Sequence, residues 1–131
     1  MPRILHATLK NEWFDMIAIN EKKEEYRDIT PYWISRLVAV FGAPHSCEDF
    51  NFMYKGFKHS MGEPVFYETV LFKNGYRKNC PEMLVEIKGI DIDVGKEKWG
   101  AVWAKPYFII KLGKILSIKN YTSNEMDTTK R

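Results

Sequence analysis

The sequence predicts an α+β fold, in which a small β-barrel carries helices packed over one opening, and three observations support this class. The chain has 131 residues, of which 45% are hydrophobic, so its length and composition suit one domain with one core. Two capped helical patterns come early in the chain, and a run of strand patterns follows them. Closure into a barrel would remove the edges that the apolar segments 69–72 and 107–110 otherwise expose.

The N-terminal part is predicted to form a short strand and then a helix. Residues 4–9 have the pattern of a strand. Trp13 and Ile17 follow at helical spacing, with Asn11 as the N-cap. The helix is expected to end near Asn20, because asparagine tolerates the left-handed conformation at a helix C-terminus.

A second helix is predicted after Thr30. Thr30 can cap this helix, Pro31 fits its first position, and Gly42 provides the stop. Its apolar residues recur at helical spacing and therefore predict a core-facing stripe: Trp33, Ile34, Leu37, Val38 and Phe41.

The rest of residues 1–131 is predicted to complete a single domain. Residues 42–65 lack a clean period and are expected to be a loop insertion, and the polar residues 119–131 form a tail. Asn74-Gly75 predicts a tight hairpin turn between the first two strands of this part. Strands are expected at 67–74 and 83–90, and residues 106–118 are expected to form one or two more, broken near Gly113.

Several classes of protein and of site are not expected. No apolar run approaches the roughly 20 residues of a membrane helix, and residues 1–10 lack the apolar core of a signal peptide. We therefore expect a cytoplasmic protein without a membrane partner. The sequence contains no Gly-rich phosphate loop, and we expect no cofactor. A metal site is not expected either, since the candidate ligands are irregularly spaced: His45, Cys47, His59 and Cys80.

The charged residues are unevenly distributed. Four lysines of the C-terminal strand region follow one another with no acid between them: Lys105, Lys111, Lys114 and Lys119. A basic surface of this kind attracts phosphate, but it also serves solubility, and composition does not choose between the two roles.

The charge run Asn20 to Arg27, "NEKKEEYR", contains the principal candidate site. If Glu24 to Asp28 is extended, Glu25 and Arg27 share one face, and Lys22 at the helix end can converge with them. Arginine binds planar or anionic groups, glutamate accepts a proton or an amino group, and lysine stabilises negative charge. On spacing alone, a surface ion-pair network is the favoured interpretation.

This stretch resembles the signature Gly-x-Lys-x-x-Glu-x-Arg of the ASCH family, which belongs to the PUA-like superfamily of β-barrels. Lys22, Glu25 and Arg27 match its last three positions, and Asn20 stands in place of the glycine. The surroundings are similar as well, namely "LHATLKNEWFDMIA", "YETVLFKNGY", "MLVEIKGIDI" and "FIIKLGKI". The likeness covers about residues 3–118, with residues 42–65 as an insertion.

The resemblance implies a PUA-like barrel with a polar cleft lined by the motif. Family members are linked to RNA binding or RNA-related regulation, and some cleave RNA. One branch hydrolyses N4-acetylcytidine with a threonine three residues after the motif lysine. That position is Glu25 here, so the threonine mechanism does not carry over, although a carboxylate could act as a general base.

Three further residues are candidate ligand contacts. Asn74 and Tyr76 belong to the resemblance, and Tyr76 stands beside Arg77 and Lys78, which suits a base stacked near a phosphate. Trp99, in the loop "KWGAVWAKP" that also holds Trp103, offers a stacking surface or a plug for one end of the barrel.

These observations lead to three functional hypotheses. The first is a module that binds RNA or a modified nucleoside or nucleotide through Lys22, Glu25 and Arg27. The second is a small hydrolase, a ribonuclease or an amidohydrolase of N4-acylated cytidine, with Glu25 as general base and Lys22 as electrostatic stabiliser. The third is a protein-interaction domain that uses residues 42–65.

Overall fold

A computed structural model describes residues 3–39, 63–64 and 67–121 of the chain. In the described part the chain is α+β, which confirms the predicted class. Its elements in order are β1 (Ile4–Thr8), α1 (Asn11–Ala18), β2 (Glu24–Arg27), α2 (Pro31–Leu37), β3 (Val38–Ala39), β4 (Glu63–Pro64), β5 (Thr69–Lys73), β6 (Glu82–Val94), a 3₁₀ turn (Glu97–Trp99) and β7 (Pro106–Lys119).

Five of the strands form one sheet, in the order β1-β5-β6-β7-β2. β1 pairs with β5 in parallel, β5 pairs with β6 antiparallel, and β2 pairs with β7 antiparallel. A separate two-stranded ribbon joins β3 and β4. Closure into a PUA-like barrel stays a prediction, because β1 and β2 are the outer strands of the sheet within the described residues.

The chain divides into two compact units. The first contains the described parts of Met1–Lys23, Tyr67–Lys88 and Leu112–Arg131. The second contains the described parts of Glu24–Phe66 and Gly89–Lys111. The sequence prediction of a single domain stays a prediction.

The core of the first unit is built from alternate residues of its strands and from one face of α1. Successive strand residues point to opposite faces, so only every second one is buried in β1 and β5. The buried residues of this core include Leu5, Ala7, Phe14, Ile17, Val70, Phe72, Met83 and Val85. Burying one large apolar side chain contributes roughly 1.5–3 kcal/mol, so these residues are the main source of stability of this unit.

The core of the second unit combines α2 with the N-terminal half of β7. Ile34 and Leu37 are three residues apart in α2 and are 1% and 0% exposed, as the helical stripe predicted. Four consecutive residues of β7, 107–110, are all buried. Such a run indicates a strand covered on both faces, in contrast to the alternation in β1.

The predicted start of α2 is confirmed, and its predicted end is wrong. Thr30 Oγ1 accepts a hydrogen bond from the backbone N–H of Trp33 at 3.3 Å, and Pro31 is the first helical residue. The helix ends at Leu37, because the backbone of β3 pairs with β4 instead of continuing the helix. Gly42, the predicted stop, lies outside the described residues.

The predicted break near Gly113 is also wrong. β7 runs without interruption from Pro106 to Lys119. A Cβ atom on Gly113 would lie 2.7 Å from Oε1 of Glu86, and the same oxygen accepts a hydrogen bond from the N–H of Lys114 at 3.5 Å. The glycine therefore makes room for a carboxylate and does not end the strand.

The connection between β5 and β6 differs from the predicted tight turn. Lys73 pairs with Glu82, so the connection comprises residues 74–81 and not only Asn74-Gly75. Its ends are closed by a hydrogen bond from the N–H of Asn74 to the carbonyl of Pro81 at 2.9 Å.

The insertion and the tail are only partly described. Of the predicted loop 42–65, the structure describes residues 63–64, which form β4 and pair with β3. Of the predicted tail 119–131, it describes residues 119–121. Tyr121 is anchored there, because its hydroxyl donates to Asp15 of α1 at 2.6 Å and its ring lies 5.1 Å from that of Phe14. Among the described residues, no helix is long and apolar enough to cross a membrane.

Candidate ligand-binding site

The end of α1 determines where Lys22 lies. Asn20 has a φ of 65°, so it adopts the predicted left-handed conformation. The N–H of Asn20 donates to the carbonyl of Ile17 and the N–H of Glu21 to that of Met16, both at 2.9 Å. These two bonds form a Schellman motif, which satisfies the last carbonyls of the helix. Glycine and asparagine are the residues that best tolerate this conformation, so Asn20 can adopt the same backbone conformation as a glycine at this position.

Lys22 is buried directly after this turn. The residue is only 2% exposed, and its N–H also donates to the carbonyl of Met16, at 3.0 Å. Its ammonium group lies 5.0 Å from the centre of the Trp13 ring, which is the distance of a cation–π contact. Both residues belong to the first unit. Asn11 is the first residue of α1 and not its predicted N-cap, since Lys10 occupies the cap position.

Glu25 and Arg27 form an ion pair on β2. They are two residues apart in an extended strand, so their side chains point to the same face, as the sequence predicted. Nη2 of Arg27 donates to Oε2 of Glu25 at 2.7 Å. The side chains are 17% exposed for Arg27 and 8% for Glu25, so water screens this pair far less than a surface salt bridge.

The position of this pair follows from the register of the sheet. Glu25 is paired with Ile110 and Arg27 with Phe108 on β7, within the part of that strand that is buried. The guanidinium carbon of Arg27 lies 5.2 Å from the centre of the Trp33 ring. Arg27 thus contacts a carboxylate and an aromatic ring at the same time, and both contacts restrict the orientation of its planar group.

Tyr26 has a different set of partners. Its hydroxyl donates to Glu24 at 2.8 Å and accepts a hydrogen bond from the backbone N–H of Lys96 at 2.9 Å. Burial raises the pKa of Tyr26 well above its ordinary value, and the hydrogen bond to Glu24 adds to the rise, whereas the N–H of Lys96 acts against it. A Cβ atom on Gly95 would lie 2.8 Å from the ring of Tyr26, so this glycine lets the ring approach the backbone.

The structure brings together some of the predicted site residues. Glu25 and Arg27 are in direct contact within the second unit. Lys22 belongs to the first unit, and its convergence with the other two stays a prediction. The sequence analysis did not identify Trp13 as a partner of Lys22, or Trp33 as a partner of Arg27. Both tryptophans belong to the apolar pattern of a helix, and nothing in the local sequence distinguishes them from core residues.

The second set of predicted contacts lies in three different settings. Asn74 donates from its side-chain amide to the carbonyl of Leu9 at 2.8 Å, so it holds the loop in place. Tyr76 is 91% exposed. Trp99 is only 6% exposed, with the ammonium groups of Lys96 and Lys98 4.8 and 4.7 Å from its ring centre. The binding roles of these residues stay predictions.

Trp103 lies at the tip of a turn. The N–H of Lys105 donates to the carbonyl of Val102 at 3.2 Å, and the hydroxyl of Tyr107 accepts from the N–H of Val102 at 3.0 Å. Ala104 has a φ of 65°, a conformation that costs a residue with a Cβ atom roughly 1–2 kcal/mol. Trp103 is 79% exposed, so this loop presents one tryptophan to solvent and buries the other.

The described residues contain no group of three or more His, Cys, Asp or Glu side chains that could hold a metal ion. Of the four candidate ligands named from the sequence, Cys80 is buried and is a free thiol. The other three, His45, Cys47 and His59, lie outside the described residues.

The geometry of the second unit suits the recognition of a planar polar group. A carboxylate can accept several hydrogen bonds on its two oxygens, and a guanidinium has five N–H donors in a fixed plane. No protein-family model, curated protein or solved structure matches the chain significantly.

Proposed function

We propose that this chain is an ASCH-like module that binds RNA or a modified nucleoside or nucleotide, with Glu25 and Arg27 as the residues that recognise the base. One observation carries the proposal: charged residues of a polar run are buried. Lys22 is 2% exposed and Glu25 is 6% exposed, although Glu21 and Lys23 of the same run are exposed. A solvated surface network would leave all of them in water.

Burial of these charges is unfavourable in free energy, and the core does not require charged residues at these positions. Removing an ion from water costs several kcal/mol, and an ion pair recovers this only with good geometry and further hydrogen bonds. An apolar pair at the positions of Glu25 and Arg27 would serve the core at least as well. Retained burial of charge is typical of sites that act on a ligand.

The chemistry of the pair favours a nucleobase. A carboxylate accepts hydrogen bonds from an exocyclic amino group, such as that of cytosine, and a guanidinium donates to a neighbouring carbonyl or to phosphate. RNA-binding proteins read bases in single strands by such contacts on the base edge. Because Nη2 of Arg27 is held by Glu25 and its plane lies near Trp33, little side-chain entropy remains to be lost on binding.

Calorimetric titration with cytidine, cytidine 5′-monophosphate and N4-acetylcytidine at low salt tests the proposal. Arg27→Lys keeps the charge but loses the planar donors, and Glu25→Gln removes the charge of the acceptor. Each is expected to weaken binding about tenfold or more, because charge-assisted contacts are lost. Lys23→Gln is the matched control, since this exposed lysine belongs to the same run, and its effect is expected to stay within about twofold.

Near-ultraviolet circular dichroism should show that all three variants keep the native packing. If the unmodified protein binds none of these compounds at low salt, or if Lys23→Gln weakens binding as much as Arg27→Lys, the proposal is wrong. Release of acetate from N4-acetylcytidine, or cleavage of a labelled RNA, would identify a hydrolase instead. In that case Glu25→Gln should abolish turnover, as expected for a general base.

A further inference from the structure

The loop at residues 74–81 is fixed at both ends and in its interior. The side chain of Asn74 donates to the carbonyl of Leu9, and its N–H donates to the carbonyl of Pro81. The N–H of Cys80 donates to the carbonyl of Arg77 at 3.2 Å, and Cys80 itself is only 4% exposed. Gly75 and Asn79 take positive φ angles of 117° and 64°, which these residue types tolerate. The loop therefore has a defined shape.

This fixed loop presents one aromatic ring and two cations to solvent. Tyr76 is 91% exposed, and Arg77 and Lys78 are exposed beside it. Within the described ranges, none of these three side chains takes part in a hydrogen bond, an ion pair or a ring contact. The loop contains no acidic residue that would neutralise the cations. An ordered backbone that displays unpaired cations next to a ring is suited to a polyanion with planar groups.

We infer that this loop is a contact site for single-stranded RNA, in which Tyr76 stacks on a base and Arg77 and Lys78 bind the adjacent phosphates. Base–aromatic stacking beside cations that follow the backbone is the common way in which proteins bind single strands without reading sequence. Lys10 adds a third cation nearby, because it is exposed and follows Leu9, whose carbonyl holds Asn74. A protein partner is less well matched, since the loop offers no exposed aliphatic side chain.

The inference rests on the loop itself, which lies in the first unit, whereas Glu25 and Arg27 lie in the second. It shares only the class of ligand with the proposed function. A free nucleoside reports on Glu25 and Arg27, and an oligonucleotide reports on the loop. The two ideas can therefore fail separately.

Fluorescence anisotropy with a labelled single-stranded oligouridylate, measured over a range of salt concentrations, tests the loop. Tyr76→Leu is expected to weaken binding about fivefold or more, the lower end of the range for one lost stack. The double variant Arg77→Gln/Lys78→Gln should reduce the slope of log Kd against log salt by about 1.4, the value for two single-strand phosphate contacts. Lys88→Gln and Lys114→Gln are the controls, since both lysines are exposed in the same unit.

The loop variants should leave the affinity for cytidine unchanged. The inference is wrong if the unmodified protein does not bind the oligonucleotide at low salt, or if Tyr76→Leu binds it as well as the unmodified protein does. It is also wrong if the control variants reduce the salt slope as much as the loop variant, because the contact would then be non-specific attraction to the whole surface.

Discussion

At the scale of single residues, Tyr26 shows how a polar group inside the charge run is held. Its hydroxyl both donates to Glu24 and accepts from the N–H of Lys96, and Gly95 leaves space for its ring. The ring also lies 5.7 Å from that of Tyr107. The hydrogen bond to Glu24 requires the neutral phenol, because the phenolate could not donate to a carboxylate.

The raised pKa of Tyr26 predicts a loss of stability at alkaline pH. The folded protein holds this phenol neutral above its ordinary pKa of about 10, whereas the unfolded chain ionises it there. The stabilising effect is therefore complete below pH ~10 and declines as the pH rises through the folded pKa. In Tyr26→Phe this alkaline decline should become smaller, and stability at neutral pH should fall by about 1 kcal/mol through the lost hydrogen bonds.

Urea unfolding at a series of pH values, compared between the two proteins, measures this difference. Tyr76→Phe is the control, since the side chain of Tyr76 is exposed and removal of its hydroxyl leaves the packing of the protein unchanged. Equal alkaline declines in the unmodified protein and in Tyr26→Phe would contradict the assignment.

At the scale of elements, the end of α1 is set by a single left-handed residue. Asn20 carries the Schellman motif, and Lys22 follows two residues later in a buried position. The motif therefore both terminates a helix and directs a charged side chain inward. The signature Gly-x-Lys-x-x-Glu-x-Arg, which this stretch resembles, has glycine at this position, and glycine satisfies the same backbone requirement.

Substitution of Asn20 should separate backbone conformation from side-chain chemistry. Asn20→Gly is expected to keep or slightly raise the free energy of unfolding, because glycine adopts a positive φ without strain. Asn20→Ala should lower it by roughly 1 kcal/mol, since alanine has a Cβ atom but lacks the polar side chain whose local hydrogen bonds let asparagine adopt this conformation. Thermal and urea unfolding of both variants measure the effect, and equal stability of the two would show that the left-handed conformation is not required.

Features that depend on neighbouring residues were predictable from the sequence, whereas features that depend on distant residues were not. The left-handed Asn20 and the Thr30 cap were predicted because local backbone rules determine them. The role of Gly113 was not predictable, because it depends on Glu86, which is distant in sequence. The motif spacing predicted the shared face of Glu25 and Arg27. Burial of that pair was not predictable, since the pairing of β2 with buried β7 decides it.

At the scale of the whole molecule, the two-stranded ribbon determines how residues 40–62 join the rest of the chain. Val38 pairs with Pro64 and Ala39 with Glu63, so the two ends of this segment are adjacent in space. A short turn can therefore connect residues 39 and 63. This permits a test of whether residues 40–62 are needed for the fold or for ligand binding.

Replacing residues 40–62 by a short Asn-Gly turn is expected to leave the fold intact. A shorter connection between the paired residues 39 and 63 lowers the entropy cost of bringing them together, so stability should stay equal or rise by about 1 kcal/mol. Binding of cytidine should be unchanged, because the contacts between Glu25, Arg27 and Trp33 lie outside this segment. A large loss of stability, or loss of nucleoside binding, would show that the segment belongs to the core or to the site.

The parallel pairing of β1 with β5 has a consequence for how the protein is made. β1 is synthesised before β5, which is its neighbour within the described sheet, and the residues of β5, such as Thr69 opposite Ile4, come much later in the chain. Leu5 and Ala7 therefore cannot pair with their partners until β5 has left the ribosome. Pairing over such a distance is slow to form, so we expect β1 to join late in folding. Destabilising changes in β1 should then accelerate unfolding and leave the folding rate almost unchanged.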